Sequence, residues 1–166
     1  MTSIGILSDT HGYLDEKIFH HCKDCDEIWH AGDFGSIDLA YKLNSFKPFR
    51  GVYGNIDGTE IRDFCPENVI FQCEGVSVLM THIGGYPPRY NKRSKPLLEK
   101  YQPQLMITGH SHILKIMYDD VHACMHINPG AAGKQGWQKV RTMVLLTIDG
   151  NKFTDCKVIE LGTLHG

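Results

Sequence analysis

Apolar and polar positions fall into blocks that predict alternating strands and helices in the first half of the chain. Ile4-Gly5-Ile6-Leu7 is a short apolar run that meets Ser8-Asp9-Thr10-His11-Gly12, as a buried strand meets a polar loop. From Tyr13 to Cys22, Leu14, Ile18, Phe19 and Cys22 recur at helical spacing, with Asp15 and Glu16 in the first turn, where carboxylates favour the helix dipole. A second strand, Glu27 to Ala31, ends at Gly32-Asp33. Ser36 is placed to cap a helix reaching about Phe46, with Ile37, Leu39, Ala40 and Leu43 facing inward and Pro48 ending it. A third strand, Arg50 to Tyr53, leads into Gly54-Asn55-Ile56-Asp57-Gly58, and a short helix covers Glu60 to Phe64.

The second half changes character. Val69 to Cys73 and Val76 to His82, separated by Glu74-Gly75, read as a hairpin. A Gly/Pro-rich loop runs from Ile83 to about Asn91, a helix covers Ser94 to Tyr101, and Leu105 to Thr108 is a strand ending at Gly109-His110-Ser111-His112. Further strands are expected over Leu114 to Tyr118, His122 to Ile127, Arg141 to Ile148 and Phe153 to Leu161, the last two joined by an Asp149-Gly150-Asn151 turn. Asn128-Pro129-Gly130-Ala131-Ala132-Gly133 is a rigid turn that either braces a site or simply redirects the chain. With no repeat or linker, residues 1–166 read as a single α/β domain of two packed sheets with outer helices.

Composition excludes several classes. A net charge of −2 gives no electrostatic case for a nucleic-acid polymer or an anionic membrane as partner, and no apolar stretch of about 18 residues is present to span a bilayer. No leader-like basic and apolar segment precedes the first strand, so the expected location is the cytoplasm. The cysteines read as free thiols in a reducing compartment; Cys22-x-x-Cys25 is a helix-end pair or a redox or metal pair, without the second close pair a structural zinc would want. That makes a structural zinc protein remote.

The candidate chemistry lies just past the strand ends. Asp9, His11, Asp33, Asn55, His82, His110 and His112 occupy five strand-to-loop junctions, and junctions on one edge of an α/β sheet converge. Asp9 and His11 share strand parity, as do His110 and His112, so each pair points one way if extended geometry continues past the strand. Singly, each residue could be a turn former or a half-buried histidine. Together, this mix of carboxylate, amide and imidazole suits two borderline divalent ions, bridged by a carboxylate at ~3.5–4 Å, as in hydrolytic two-metal sites. Arg89 and Tyr90, beside His82, are candidate substrate contacts for a phosphate oxygen and a ring, or members of a solvated loop. His30 is a candidate to orient a ligand, or a packed strand residue.

The ordered set Asp9-x-His11, Gly32-Asp33, Gly54-Asn55, His82 and Gly109-His110-Ser111-His112 resembles the calcineurin-like metallophosphoesterase superfamily, and its compactness resembles the small YfcE-type phosphodiesterases. The resemblance covers essentially the whole chain. It implies a four-layer α/β/β/α sandwich of two mixed sheets flanked by helices. It also implies two divalent metals per chain, manganese first, with nickel, iron or zinc as alternatives. One metal would be held by Asp9, His11, Asp33 and His112 and the other by Asp33, Asn55, His82 and His110, with Asp33 bridging. The implied activity is hydrolysis of a small phosphodiester by a metal-bridging hydroxide, with Asp9, Asp33 and Asn55 as catalytic residues. Homodimers or homotetramers are common in such families. The alternative is a metal-binding, Vps29-like protein-interaction scaffold with little or no catalysis. One departure stands out: Ile56 occupies the place where many members carry a histidine that assists the leaving oxygen. Such a site suits leaving groups that need no protein acid.

Overall fold

The computed structural model describes all residues from Met1 to Gly166. In chain order the elements are β1 (Thr2–Leu7), α1 (Lys17–His21), β2 (Glu27–His30), α2 (Ile37–Phe46), β3 (Phe49–Gly51), α3 (Thr59–Phe64), β4 (Asn68–Cys73), β5 (Val76–Thr81), β6 (Gly85–Tyr86), β7 (Arg89–Tyr90), α4 (Lys95–Tyr101), β8 (Leu105–Ile107), β9 (Leu114–Asp119), β10 (Cys124–Pro129), β11 (Val140–Asp149) and β12 (Lys152–Thr163). Two five-stranded sheets run in the orders β12-β11-β1-β2-β3 and β4-β5-β8-β10-β9, and β6 and β7 form a separate hairpin. Each sheet is mixed: three neighbouring strands are parallel (β1, β2, β3 and β5, β8, β10), and the others pair antiparallel.

Strand alternation builds the layers. On β1, Ile4 and Ile6 enter the cluster between the sheets, where they meet Trp29, Val78, Met80, Ile107 and Val144. Leu7 faces the other way, into a cluster with Ile18, Ile28, Leu39, Leu43 and Ile61, and so receives α1, α2 and α3. On the far side Leu79 and Met106 turn outward to Leu98 of α4. The order helices, sheet, sheet, helix is the expected four-layer α/β/β/α sandwich. With a fully buried Leu or Ile side chain worth roughly 1.5–3 kcal/mol, the central and helix-facing layers dominate its stability.

Ser36 caps α2 as expected, its hydroxyl accepting from the Leu39 N–H at 3.4 Å. Several boundaries differ from the pattern reading: β10, expected over His122 to Ile127, spans Cys124–Pro129 and so takes in the first two residues of the expected Asn128-to-Gly133 turn. The segment expected to be helical from Tyr13 is irregular until Lys17, because Asp15 accepts from the Lys17 N–H and the guanidinium of Arg141 at 2.9 and 2.8 Å, an alternative to helical bonding. β3 stops at Gly51. The loop after His82 contains the β6–β7 hairpin.

Register fixes where the loops emerge. Leu7 pairs with His30 and His30 with Gly51, so β1, β2 and β3 release their chains at one level. Met80, Ile107 and Ile127 form the corresponding level of the second sheet. The polar junctions therefore share one edge of the sandwich.

Candidate metal centre

All seven junction residues come together. Asp9, His11 and His112 offer ligand atoms within 4.8 Å of one another, as do Asp33, His82 and His110. The trios adjoin: His82 Nε2 lies 3.2 Å from Asp33 Oδ2 and 3.9 Å from Asp9 Oδ1, and His11 Nε2 lies 3.6 Å from Asp33 Oδ2. Asn55 Oδ1 sits 3.1 Å from His82 Nε2 and 3.0 Å from His110 Nδ1, closing the second group. Asp9, Asp33 and His82 are buried and form the floor, while Asn55 and His110 are exposed at the rim.

The side chains converge for a reason that strand parity does not supply. β1 ends at Leu7, and Asp9 and His11 have φ of 55° and 46°. Asp33, His110 and His112 are also left-handed, at 59°, 73° and 63°. Five of the seven thus occupy a region that is uncommon for residues with a Cβ and costs of order 1–3 kcal/mol each. Such strain persists only where surrounding bonds over-determine it. Here the β1 and β2 loops are zipped by Asp9 N to Gly32 O (2.9 Å), His11 N to Asp33 O (3.0 Å) and Gly12 N to Phe34 O (2.7 Å). Gly109 N donates to His82 O at 3.0 Å, tying the β5 and β8 loops.

The glycines before the ligands make room for these approaches. A Cβ on Gly54 would lie 2.1 Å from Asp33 Oδ1, and one on Gly32 would lie 2.6 Å from His82 Nδ1. Gly32 also has φ of 105°, a conformation that L side chains rarely adopt. The Gly-Asp and Gly-Asn doublets are therefore steric requirements of the site.

Hydrogen bonds set the ring orientations. His82 Nδ1 lies 2.7 Å from Ala31 O; it must donate, which leaves the Nε2 lone pair facing the cluster. His112 Nδ1 donates in the same way to Gln138 Oε1 at 3.1 Å. His30 does not reach the cluster. Its Nδ1 accepts from Gly32 N at 3.0 Å, so its Nε2–H donates to Thr10 Oγ1 at 3.0 Å, and the Thr10 hydroxyl donates to Phe34 O. His30 is thus a fully buried, neutral tie between two ligand loops, its pKa pushed down to about 3 chiefly by burial. Asn128 braces the β8 loop, donating to Gly109 O at 2.9 Å and accepting from Gly130 N at 3.0 Å.

The electrostatics favour cations. Burial acts to raise the Asp9 pKa, but the adjacent imidazoles of His11, His112 and His82 and the Ser8 hydroxyl outweigh it and hold the carboxyl far below the usual range. Burial opposes charge on His82 as well, yet the adjacent carboxylates of Asp33 and Asp9 raise its pKa. Asp9 Oδ2 accepts from Ser8 Oγ at 2.6 Å and His110 N at 3.0 Å, whereas Asp9 Oδ1 is buried without a hydrogen-bond partner and lies 3.2 Å from His112 Nε2. A buried carboxylate oxygen without a donor, facing imidazole lone pairs, is an arrangement that a divalent ion satisfies. The donor set, carboxylate, amide and imidazole, fits a borderline divalent metal ion.

Pattern reading missed Asp57. Its buried carboxylate accepts four backbone N–H groups: Gly54 at 2.8 Å, Asp33 at 2.9 Å and Phe34 at 3.2 Å through Oδ2, and Gly35 at 3.0 Å through Oδ1. It clamps the Asp33 loop to the Asn55 loop. The only signal was the Asn55-x-Asp57-Gly58 turn composition. Ile56 donates its backbone N–H to Asp33 Oδ1 at 3.0 Å, so this residue positions the Asp33 carboxylate through its main chain. Arg89 and Tyr90 line a cleft with His110; the Tyr90 hydroxyl is bonded to Asp119, which also accepts from His122 Nδ1 at 2.8 Å.

Fold and site define a two-sheet sandwich with a histidine- and carboxylate-rich metal centre at one edge. Residues 2–151 match the calcineurin-like phosphoesterase superfamily domain, and the chain belongs to that family. A probable metallophosphoesterase of Methanothermobacter thermautotrophicus is 29% identical over 167 residues, covering 96% of this chain and 92% of that protein. An archaeal phosphodiesterase of known structure superposes with a TM-score of 0.73 at 22% identity, covering 95% of this chain and 99% of that one. Wild-type Vps29 from Entamoeba histolytica, complexed with zinc, gives 0.73 at 15% identity, covering 96% and 99%. At these identities the structural likenesses speak for the fold.

Proposed function

We infer that this metal-dependent phosphoesterase hydrolyses phosphodiesters at a dinuclear centre. The observation that carries the reading is the convergence of all seven donors, with Asp33 Oδ2 within 3.6 Å of imidazoles from both trios. Asp9, His11, Asp33 and His112 would hold one ion and Asp33, Asn55, His82 and His110 the other, with manganese the first choice and nickel, iron or zinc as alternatives. Two such ions supply an acidified water and offset charge on the phosphoryl oxygens.

The chain's own groups support hydrolysis without a protein nucleophile. Ser8 donates its hydroxyl to Asp9, and Ser111 shares a hydrogen bond with Tyr86. The histidines lining the two clefts beside the cluster are the donors His82 and His110, so no other imidazole lies there to protonate a leaving group. Ile56, where many relatives carry histidine, has no proton to give. These features favour leaving groups that depart as stabilised anions or take a proton from solvent.

Preference for a diester rests on two clefts that open from the cluster. One, of about 510 Å³, includes Asn55 and His82 in its wall. The other, of about 350 Å³, includes His110, Arg89 and Tyr90. A phosphate held between them has room for a substituent on each side. In this arrangement Arg89 contacts a phosphate oxygen, and Tyr90, anchored on Asp119, offers its ring to the substituent.

The test is turnover of bis(p-nitrophenyl) phosphate against p-nitrophenyl phosphate with added Mn²⁺, for the wild type and Asp33→Asn. The reading expects faster diester hydrolysis and a loss of at least about 10²-fold on substitution. Bound metal without hydrolysis of either ester would instead support a protein-interaction scaffold.

A further inference from the structure

The larger cleft carries a charge pattern that binding of the scissile phosphate does not require. Its wall runs from Asn55 and His82 to Arg62, Lys92 and Arg93, with Glu67 as the one carboxylate. Three cations less one anion leave a local charge of +2 on a chain whose formal net charge is −2. None of the three cations makes an ion pair: the carboxylate contacts within 4.0 Å in this protein all involve other residues. Lys92 and Arg93 use no side-chain nitrogen in any hydrogen bond; the one bond of Arg93 is from its backbone N–H.

Arg62 is held in place. Its guanidinium carbon lies 4.4 Å from the centre of the Tyr53 ring, and its Nε donates to Asp57 O at 2.7 Å. Both Nη groups are left free. Because Asp57 clamps the Asp33 and Asn55 loops, this guanidinium is indexed to the metal centre through two contacts. A guanidinium fixed by stacking and one backbone bond, with its other donors unused, is pre-organised for an oxyanion. Tyr53, Pro96 and Leu97 give the same cleft an apolar side.

We propose that this cleft is a subsite for a substrate arm bearing a terminal phosphate, so that the favoured substrate is a phosphodiester with a phosphomonoester on one of its two substituents. The proposal rests on the phosphodiesterase reading above. The local charge of +2 matches a phosphate dianion better than a carboxylate, and two guanidiniums offer the paired donors that phosphate oxygens accept. The cations are exposed, so the preference weakens as salt rises.

The test compares two chromogenic diesters that differ only in the remote phosphate, the p-nitrophenyl ester of thymidine 5′-phosphate and the same compound carrying a 3′-phosphate. Wild type with Mn²⁺ should favour the 3′-phosphorylated ester by about tenfold in kcat/KM. Lys92→Gln with Arg93→Gln should reduce that ratio to within about twofold, and Lys92→Arg with Arg93→Lys should restore most of it. A wild-type ratio near one, or a ratio unchanged in the double variant, overturns the proposal. If wild type cleaves neither ester, the phosphodiesterase reading fails. Calorimetric binding of thymidine 3′,5′-bisphosphate against thymidine 5′-phosphate then decides the subsite. About tenfold tighter binding that is lost in the glutamine variant sustains it, and equal binding overturns it.

Discussion

Removing the Asp57 carboxylate tests whether the site is held by its ligands or by the clamp beneath them. Four backbone N–H groups, from Asp33, Phe34, Gly35 and Gly54, end on its two oxygens at 2.8 to 3.2 Å. Asp57→Ala strands all four. An unsatisfied buried donor costs about 1–3 kcal/mol, and water entering the vacated space brings each to the lower end, so the sum is about 4 kcal/mol. Asp57→Asn keeps one carbonyl oxygen, which can retain the three donors on Oδ2. It places an amide N–H₂ against the Gly35 N–H and removes the charge, for about 2 kcal/mol. The assay is urea unfolding of the metal-free protein, with midpoint and slope fitted separately. The midpoint should fall in the order wild type, Asn, Ala at constant slope. Because the clamp joins the Asp33 and Asn55 loops, Mn²⁺ affinity should fall at least about tenfold in both variants, although neither removes a ligand. An alanine variant within about 0.5 kcal/mol of wild type, with unchanged Mn²⁺ affinity, would refute the clamp.

Two further predictions follow from crowding and burial. Gly54→Ala should impair Mn²⁺ binding, because its Cβ would sit 2.1 Å from Asp33 Oδ1 and displace that carboxylate; titration showing full affinity would count against the packed arrangement. His126 is fully buried, with Nε2 on Thr108 Oγ1 and Nδ1 unpartnered, and burial pushes its pKa down to about 4. A histidine with a depressed native pKa takes up its proton first in the unfolded chain. Its contribution is therefore fully present above about pH 6.5 and is lost as the pH falls from there towards 4, by about 3 kcal/mol in total. His126→Asn should lower stability at neutral pH yet flatten its fall between pH 6.5 and 4, and parallel stability–pH curves would contradict that assignment.

Much of this site was readable before the fold. Each parallel strand of the first sheet announces itself as an apolar run ending in a polar doublet, and the shared edge follows from α/β topology. The apolar run Ile4-Gly5-Ile6-Leu7 announced a buried strand but not its two faces, which the structure sorts with Ile4 and Ile6 between the sheets and Leu7 under the helices. Side-chain direction at the site was not readable. Parity arguments assume extended backbone, whereas Asp9, His11, His110 and His112 sit in left-handed turns just past the strands. Nor could periodicity find Asp57, because three of its partners lie on the β2 loop, 22 to 24 residues earlier in the chain. The irregular stretch from Tyr13 to Glu16 has helical composition, and the distant Arg141 competes for it through Asp15.

The central claim, two divalent ions sharing Asp33, is tested most directly by electron paramagnetic resonance of the protein loaded with two equivalents of Mn²⁺. The account predicts the spectrum of an exchange-coupled manganese pair in the wild type and its loss in Asp33→Asn. An uncoupled six-line spectrum from the loaded wild type would contradict it.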